Sequence, residues 1–246
     1  QEVKALTADQ APMVGKAFIE AGDYLYWVHS FFPTYSIHRT KKDGSGAIET
    51  VATTAQSLTD VLIAGATVYW TDSTGVWTIR NDCATLPCGS PSQFATFGAS
   101  TGGYGLLYQS LGGVQGNYRV YWVQRVTSGA NSSYEIRYRS CNQIAICFFS
   151  AQDPTALFYG STTNWRIGPP LLANNNLYWT EADQSTVNSP NGDVKRRAYN
   201  AAQGAGADTI ATGQPGLDSR VFATADSLFF ARRNVGIYRL PLNATA

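Results

Sequence analysis

The chain has 246 residues, of which 14% are charged, and its formal net charge is +1 at neutral pH. This near-neutral charge excludes nucleic acid and anionic membrane surfaces as partners bound by bulk electrostatics. No apolar run approaches the roughly 18 residues of a membrane span, so membrane insertion is not expected. Aromatic residues make up 13% of the chain and glycines number 23, a balance that favours short strands and tight turns.

An aromatic pair recurs along the chain and is the first sign of internal repetition. The copies are Tyr26-Trp27, Tyr69-Trp70, Tyr121-Trp122, Tyr178-Trp179 and a degenerate Phe229-Phe230. They are separated by about 43 to 57 residues, which is close to the period of a four-stranded propeller blade. The spacing therefore predicts five structural repeats.

Each aromatic pair is flanked by segments that are typical of β-strands. An apolar segment precedes the pair, as at residues 61–63, and predicts an innermost strand. A β-branched residue followed by a basic residue comes after it, as at Ile37 and Arg39, and predicts a third strand. A fourth apolar segment follows a turn, at 49–53 in the first copy and at 147–150 in the third.

The fifth copy stops before its fourth strand, and residues 2–7 resemble the fourth strand of the preceding copy. Pairing the N-terminal segment into the last blade would close the ring and remove open sheet edges. We therefore predict an all-β chain: a single five-bladed β-propeller domain of four-stranded antiparallel blades, closed by the N-terminal strand and stable as a monomer. A piece of a larger ring is the competing interpretation. The predicted blades are 15–54, 58–98, 104–152, 165–213, and 219–246 together with 1–8.

The second copy carries a recognisable motif. Val68-Tyr69-Trp70-Thr71-Asp72, with the Ile-x-Arg and Asp-Gly-Ser elements of the repeats, resembles the YWTD-type repeats of LDL-receptor-like β-propellers. Copies one and three have Val28 and Val123 in place of threonine, and the fourth has Glu181 in place of aspartate. The resemblance implies a propeller, but that family is commonly six-bladed, so its partner surfaces do not transfer. Five-bladed propellers include tachylectin-type lectins and glycosidases that act on furanosides.

The four cysteines form two local pairs, Cys83 with Cys88 and Cys141 with Cys147. Such pairs predict small disulfide clamps in an oxidising compartment, and hence a secreted, periplasmic or extracellular protein. Free thiols are one alternative. A zinc site is another, although the spacing is wider than in the usual zinc knuckle. No cofactor or metal is otherwise indicated.

In a propeller, the loops that follow the second strands and precede the first strands share one face, where function usually resides. The long loops expected there are 29–35, 98–104, 124–133, 151–165 and 181–193. Aromatic residues on them could stack on sugar rings or anchor a protein, or belong to the core between blades. The candidate ligand-binding residues are His29, Phe31, Phe32, Tyr35, Tyr104, Arg125, Tyr159, Trp165, Glu181, Asp183 and Arg232.

Acidic residues support two opposing interpretations. Asp72 and Glu181 recur directly after second strands, a position that favours a loop-capping role, whereas Asp183 lies outside the repeat. With two histidines in the chain, a Ser-His-Asp triad is poorly supported. We therefore expect a non-catalytic extracellular recognition module for a protein or glycan ligand rather than an enzyme. The alternatives are a lectin with sugar pockets between blades and a glycoside hydrolase using Asp183 and Glu181 at the channel mouth.

Overall fold

Every regular element that the structure describes is a β-strand, which confirms the all-β prediction. The structure is a computed structural model, and it describes residues 18–31, 33–97, 102–112, 117–128, 131–141, 156–161, 163–183, 191–202, 205–232 and 235–242. Within these ranges no helix is long and apolar enough to cross a membrane. The chain divides into two compact units, residues 1–98 and 99–246, here called the N-terminal and C-terminal units.

The N-terminal unit contains two four-stranded antiparallel sheets in which strands adjacent in sequence pair with each other. The strands of the first sheet are β1 (Ile19–Ala21), β2 (Tyr24–Phe31), β3 (Thr34–Lys41) and β4 (Glu49–Thr54). Those of the second are β5 (Asp60–Ala64), β6 (Thr67–Thr71), β7 (Gly75–Arg80) and β8 (Ser92–Thr96). This meander is the blade pattern predicted from the repeats.

The described residues of the C-terminal unit form three further antiparallel sheets. The first contains β9 (Gly103–Gly112), β10 (Asn117–Ser128), β11 (Asn131–Cys141) and β12 (Ala156–Gly160). In the second, β13 (Trp165–Ile167) and β14 (Leu171–Ala173) both pair with β15 (Asn176–Asp183), followed by β16 (Asn191–Ala198) and β17 (Asp208–Pro215). The third has three described strands, β18 (Leu217–Ala223), β19 (Ser227–Arg232) and β20 (Gly236–Pro241).

The recurring tryptophans are the centres of these sheets. Trp27, Trp70, Trp122 and Trp179 are each at most 2% exposed, and so are the tyrosines that precede them. Neighbouring residues of a strand point to opposite faces, so burial of both means that each second strand is covered on both sides. Within each unit the sheets therefore pack face to face, with Tyr26 and Trp70 in one shared cluster and Tyr121 and Trp179 in another.

Several expected loops are strands instead. The β2–β3 pairing continues to Phe31 opposite Thr34, and the β10–β11 pairing continues to Ser128 opposite Asn131. Residues 156–160, expected in a loop, form β12, the outer strand of its sheet, whereas the outer strand expected at 147–150 lies outside the described residues. Polar side chains do not end a strand, because the ladder hydrogen bonds of a β-sheet come from the backbone.

The first predicted disulfide is confirmed: Cys83 and Cys88 are bonded in the segment that connects β7 to β8. Cys141 is also disulfide-bonded, but Cys147, its predicted partner, lies outside the described residues. The first seventeen residues are likewise outside the described ranges, so the pairing of residues 2–7 with the last sheet stays a prediction.

Candidate functional site

Four of the predicted site residues lie close together in the C-terminal unit: Tyr159, Trp165, Glu181 and Asp183. Trp165 of β13 lies directly opposite Asp183 of β15, and Asp193 of β16 lies directly opposite Glu181. Directly opposed residues of an antiparallel pair share a face, as do residues two apart on one strand. Tyr159 reaches the same place from β12, because its ring centroid is 4.9 Å from that of Trp179. We call Glu181, Asp183, Asp193, Lys195 and Tyr159 the acidic site.

Glu181 is the most buried carboxyl group of this site, with 3% of the residue exposed. Its Oε1 accepts a hydrogen bond from the indole Nε1 of Trp179 at 3.3 Å, and it is also hydrogen-bonded to the Tyr159 hydroxyl. The residue stays within β15 instead of ending it, since that strand continues to Asp183. Glu181 is therefore a carboxyl group inside the sheet, which corrects the expectation of a loop cap.

Lys195 links two carboxylates of the acidic site. Its Nζ is 4.0 Å from Oε2 of Glu181 and 3.2 Å from Oδ2 of Asp193. The same ammonium donates to the Thr209 hydroxyl at 2.7 Å. Oδ1 of Asp193 accepts hydrogen bonds from the Thr212 hydroxyl at 3.0 Å and from the backbone N–H of Gly213 at 3.1 Å. Asp193 is thus held in one orientation beside Glu181.

Burial raises the pKa of Glu181 above its ordinary value, and the neighbouring charge of Asp193 adds to the rise. Hydrogen bonds from Tyr159 and Trp179 and the charge of Lys195 oppose it without cancelling it. Burial, followed by the Glu181 charge, also raises the pKa of the Tyr159 hydroxyl, which stays protonated. A carboxyl group with a raised pKa beside a second, fixed carboxylate is an arrangement that can transfer protons.

Three other candidates in the C-terminal unit have structural contacts. The Tyr104 hydroxyl donates to the backbone oxygen of Ile167, and burial raises its pKa to about 12. Arg125 donates to the Ser132 hydroxyl across the β10–β11 pair at 2.7 Å. Arg232 donates to the backbone oxygen of Pro215 at 3.1 Å. These contacts join neighbouring strands or segments, and none of them involves the acidic site.

The remaining candidates belong to the N-terminal unit. His29 lies in β2 with its ring centroid 5.9 Å from that of His38, and Tyr35 is a half-buried residue of β3. Phe31 ends β2, but its side chain is outside the described part of the chain, and all of Phe32 is outside it. Asp72, by contrast, caps a turn as its repeat position predicts, because its Oδ1 accepts from the backbone N–H groups of Thr74 and Gly75.

Sequence reasoning missed Asp193 and Lys195. Both fall in a segment that contains the basic run 195–197, which alternation spreads over two faces of a strand and which therefore suggests a solvated surface. The spacing of an acid and a base two residues apart does place both side chains on one face of a strand. Only the β15–β16 register, however, brings that face against Glu181.

Comparisons with known proteins give structural similarity alone. No protein-family model and no curated protein matches the chain in sequence. A solved puromycin-hydrolyzing peptidase of Mycobacterium tuberculosis superposes with a TM-score of 0.61 at 12% identity, over 93% of this chain and 36% of the peptidase chain. This chain therefore spans about a third of that peptidase.

Two further solved structures are glycan-degrading enzymes. An endo-arabinase from Bacteroides thetaiotaomicron VPI-5482 has a TM-score of 0.46 at 12% identity, covering 96% of this chain and 94% of its own. An engineered GH43 glycoside hydrolase with endo-xylanase and exo-arabinofuranosidase activity has a TM-score of 0.35 at 11% identity, covering 93% and 50%. The superposition on the peptidase, whose TM-score exceeds 0.5, supports a propeller-like all-β fold for the chain.

The comparisons also correct the functional expectation. The structures named above are a peptidase, an endo-arabinase and a glycoside hydrolase, whereas the sequence favoured a non-catalytic recognition module. That leading interpretation is wrong on these findings, which agree better with the glycoside hydrolase alternative. Identities near 12% show the fold only, so they assign no role to any residue of the acidic site.

Proposed function

We propose that the chain is a glycoside hydrolase in which Glu181 is the general acid and Asp193 the partner carboxylate. The observation that carries the proposal is the buried Glu181 carboxyl group, with its raised pKa, directly opposite Asp193 on the next strand. Glycosidases use two carboxyl groups, one protonated to release the leaving group and one ionised to activate water or attack the sugar. The acidic site supplies that asymmetry.

The burial of Glu181 supports its role as the acid. A carboxyl group in a low-dielectric site keeps its proton to higher pH than an exposed one, which favours a role as proton donor. The third repeat shows that the fold does not need this acid: Trp122 donates its indole N–H to Gln124 at 3.3 Å, in the same way that Trp179 donates to Glu181. A neutral amide, that of Gln124, is therefore enough to accept the indole hydrogen bond. The contact with tryptophan does not by itself require a carboxyl group at Glu181.

The placement of Asp193 supports its role as the second carboxylate. Since the same Lys195 ammonium is 4.0 Å from Glu181 and 3.2 Å from Asp193, the two carboxyl groups are near neighbours. Their separation is no larger than those two distances combined, which is compatible with the roughly 5 to 9.5 Å found in retaining and inverting glycosidases. Trp165, opposite Asp183 at the end of β15, offers an aromatic ring for a neutral sugar.

The sharpest test is the dependence on the leaving group. We would measure hydrolysis of neutral aryl glycosides whose leaving groups are 4-methoxyphenol, which needs a proton, or 2,4-dinitrophenol, which does not. Glu181→Gln should lose about 10²- to 10⁴-fold in kcat/KM on the first substrate and keep most activity on the second. Asp193→Asn should lose activity on both, because the second carboxylate acts regardless of the leaving group.

Asp208→Asn is the matched control, since Asp208 is an exposed carboxylate of the same unit paired with Arg196 at 2.9 Å. Its activity should equal that of the unmodified chain. An unmodified chain that hydrolyses no neutral aryl glycoside would overturn the proposed function. Equal losses by Glu181→Gln on both leaving groups would overturn the assignment of Glu181 as the acid.

The ring closure and the setting of the protein are proposals as well. We infer that residues 2–7 complete the last blade of a closed five-bladed propeller with YWTD-like repeats, and that the chain acts in an oxidising, extracellular compartment. The three described strands of the last sheet support the first inference, and the Cys83–Cys88 disulfide is compatible with the second. Deleting residues 1–7 should lower the melting temperature sharply by exposing a sheet edge, and an unchanged melting curve would refute the closure.

A further inference from the structure

The N-terminal unit contains a cavity of about 530 Å³ that the proposed reaction does not use. It lies beside the β1–β2 and β5–β6 turns and the end of β7, and its polar lining consists of Asp23, Tyr24, Tyr26, Arg39, Asn81 and Asp82. Pockets for small ligands usually enclose about 300 to 1,000 Å³. The cavity is therefore large enough for a ligand of a few rings.

A buried hydrogen-bonded group forms one wall of this cavity. Arg39 is 7% exposed and donates from Nε to Oε2 of Glu49 at 2.6 Å and from Nη1 to the backbone oxygen of Asn81 at 2.5 Å. Asn81, 5% exposed, donates from Nδ2 to the Tyr26 hydroxyl at 2.9 Å. Polar groups fixed in this way are already oriented before a ligand arrives, which lowers the entropic cost of binding.

The walls are aromatic and covalently restrained. The Arg39 guanidinium carbon lies 4.2 Å from the centroid of the Tyr24 ring, so this ring is held in place at the cavity surface. Cys83, which also lines the cavity, is bonded to Cys88, and the disulfide restricts the segment after β7. The shape of the cavity is thus built into the fold.

The charges around the cavity largely cancel. Glu49 neutralises Arg39, and Arg80 neutralises Asp82 through a hydrogen bond of 2.8 Å from Nε to Oδ1. Asp23 is exposed at the cavity and adds a carboxylate acceptor. An anionic ligand would be repelled by Asp23 and Asp82. It would gain little from the charge of Arg39, which Glu49 already balances.

We infer that this cavity binds a neutral polyhydroxylated ligand, such as one or two sugar residues of an oligosaccharide. Hydroxyl groups donate and accept at once, so they match a wall that offers both arginine and amide donors and carboxylate acceptors without a net cation. Tyrosine rings add contact area to the apolar faces of sugars. The site is separate from the acidic site and would hold a glycan without cleaving it.

Calorimetric titration with neutral pentose oligosaccharides tests the inference, using the Glu181→Gln variant so that no substrate is consumed. Ala66→Trp should fill the cavity and remove its share of the binding, leaving only binding at the acidic site. Ala66 lines the cavity, and its hydrogen bond to the Asn81 backbone N–H is made by its backbone oxygen, which the substitution keeps. Asp23→Ala should raise Kd by about 3- to 10-fold, the effect of losing one hydrogen bond of ordinary net strength. Asp43→Ala, an exposed aspartate of the β3–β4 turn, is the control and should leave Kd unchanged.

Unchanged binding in both Ala66→Trp and Asp23→Ala would overturn the cavity as the site. Tighter binding of an oligogalacturonate or of a lysine-containing dipeptide would overturn the ligand class. The test measures binding alone, so it succeeds or fails independently of hydrolysis. A cooperative melting curve of Ala66→Trp shows that this variant is folded.

Discussion

Asp72 and Glu181 occupy the same place in two repeats, two residues after a buried tryptophan, yet they have different surroundings. Strand β6 ends at Thr71, so Asp72 lies in the turn and its Oδ1 accepts from the Thr74 hydroxyl at 2.6 Å and from two backbone N–H groups. Strand β15 continues past Glu181, whose carboxyl group instead turns back to the indole of Trp179. The length of the strand decides which way the acid points.

The indole N–H groups of the two preceding tryptophans differ in the same way. Trp179 has an acceptor for its indole N–H in Glu181, whereas Nε1 of Trp70 is buried without an acceptor in the described part of the chain. The Asp72 side chain is one methylene shorter than that of glutamate, and three hydrogen bonds to its Oδ1 hold it in the turn. One repeat position therefore stabilises a turn in the first case and presents a protonatable group in the second.

The largest expected difference between Glu181 and Asp72 is in the effect of their substitution on activity. Glu181→Gln should reduce kcat/KM on glycosides with poor leaving groups by about two to four orders of magnitude, since the amide cannot donate a carboxylic proton. Asp72→Asn should keep kcat/KM within about twofold, because the hydrogen bonds of Asp72 Oδ1 all go to residues of its own turn. Steady-state kinetics on one substrate checks both variants, and similar losses in the two would erase the distinction.

For stability we expect the opposite order, with substitution of Asp72 more damaging than substitution of Glu181. Asp72→Ala removes the acceptor for two backbone N–H groups and should cost about 1 to 3 kcal/mol, or roughly 2 to 4 °C of melting temperature for each kcal/mol. Glu181→Gln should not lower the melting temperature near neutral pH, because Gln124 makes the equivalent contact with Trp122 in the third repeat. Thermal unfolding of the two variants is the measurement, and a larger loss in Glu181→Gln would contradict the comparison.

The pH dependence of stability should distinguish a buried acid from a turn cap. Burial raises the folded-state pKa of Glu181, so its contribution to stability is complete below the ordinary value of 4.5 and is lost as pH rises through the folded pKa. Glu181→Gln should therefore melt at a higher temperature than the unmodified chain at pH 7, by a gap that closes toward pH 4. A gap that widens on acidification would mean that the pKa of Glu181 is lowered rather than raised.

The smallest effect expected is that of Tyr159. Its hydrogen bond lowers the pKa of Glu181, so Tyr159→Phe should raise this pKa further and move the alkaline limb of the kcat/KM profile upward by up to about one pH unit. Tyr104→Phe is the control, because Tyr104 bonds Ile167 instead of Glu181. A profile that does not move would show that Tyr159 only packs against Trp179.

Much of the fold was predictable because its signals are local. Alternation along a strand, the turn after each hairpin and the period of the Tyr-Trp pairs all lie within one repeat, so they indicated antiparallel meanders of four strands. Where strands end was harder to predict. The pairing of β10 and β11 runs to Ser128 and Asn131 through a polar stretch, because backbone hydrogen bonds continue whatever the side chains are.

The candidate site was predictable only in part. Glu181, Asp183, Tyr159 and Trp165 were recognised as acidic or aromatic residues near expected loops, but nothing local joined them. Tyr159 belongs to β12 of one sheet and Glu181 to β15 of the next, and their hydrogen bond depends on how those sheets pack. Asp193 and Lys195 were missed because they sit beside Arg196 and Arg197, in a run that suggests a solvated surface.

The sequence by itself determined that this protein is built from repeated antiparallel sheets centred on buried Tyr-Trp pairs, since a repeated pattern of burial follows from repeated chemistry. Only the tertiary structure decided the surroundings that each copy of the repeat has. The desolvation of Glu181, its register opposite Asp193 and the arrival of Tyr159 from a neighbouring sheet depend on residues far apart in the chain. A pKa is set by everything packed around a group, and no local pattern encodes that environment.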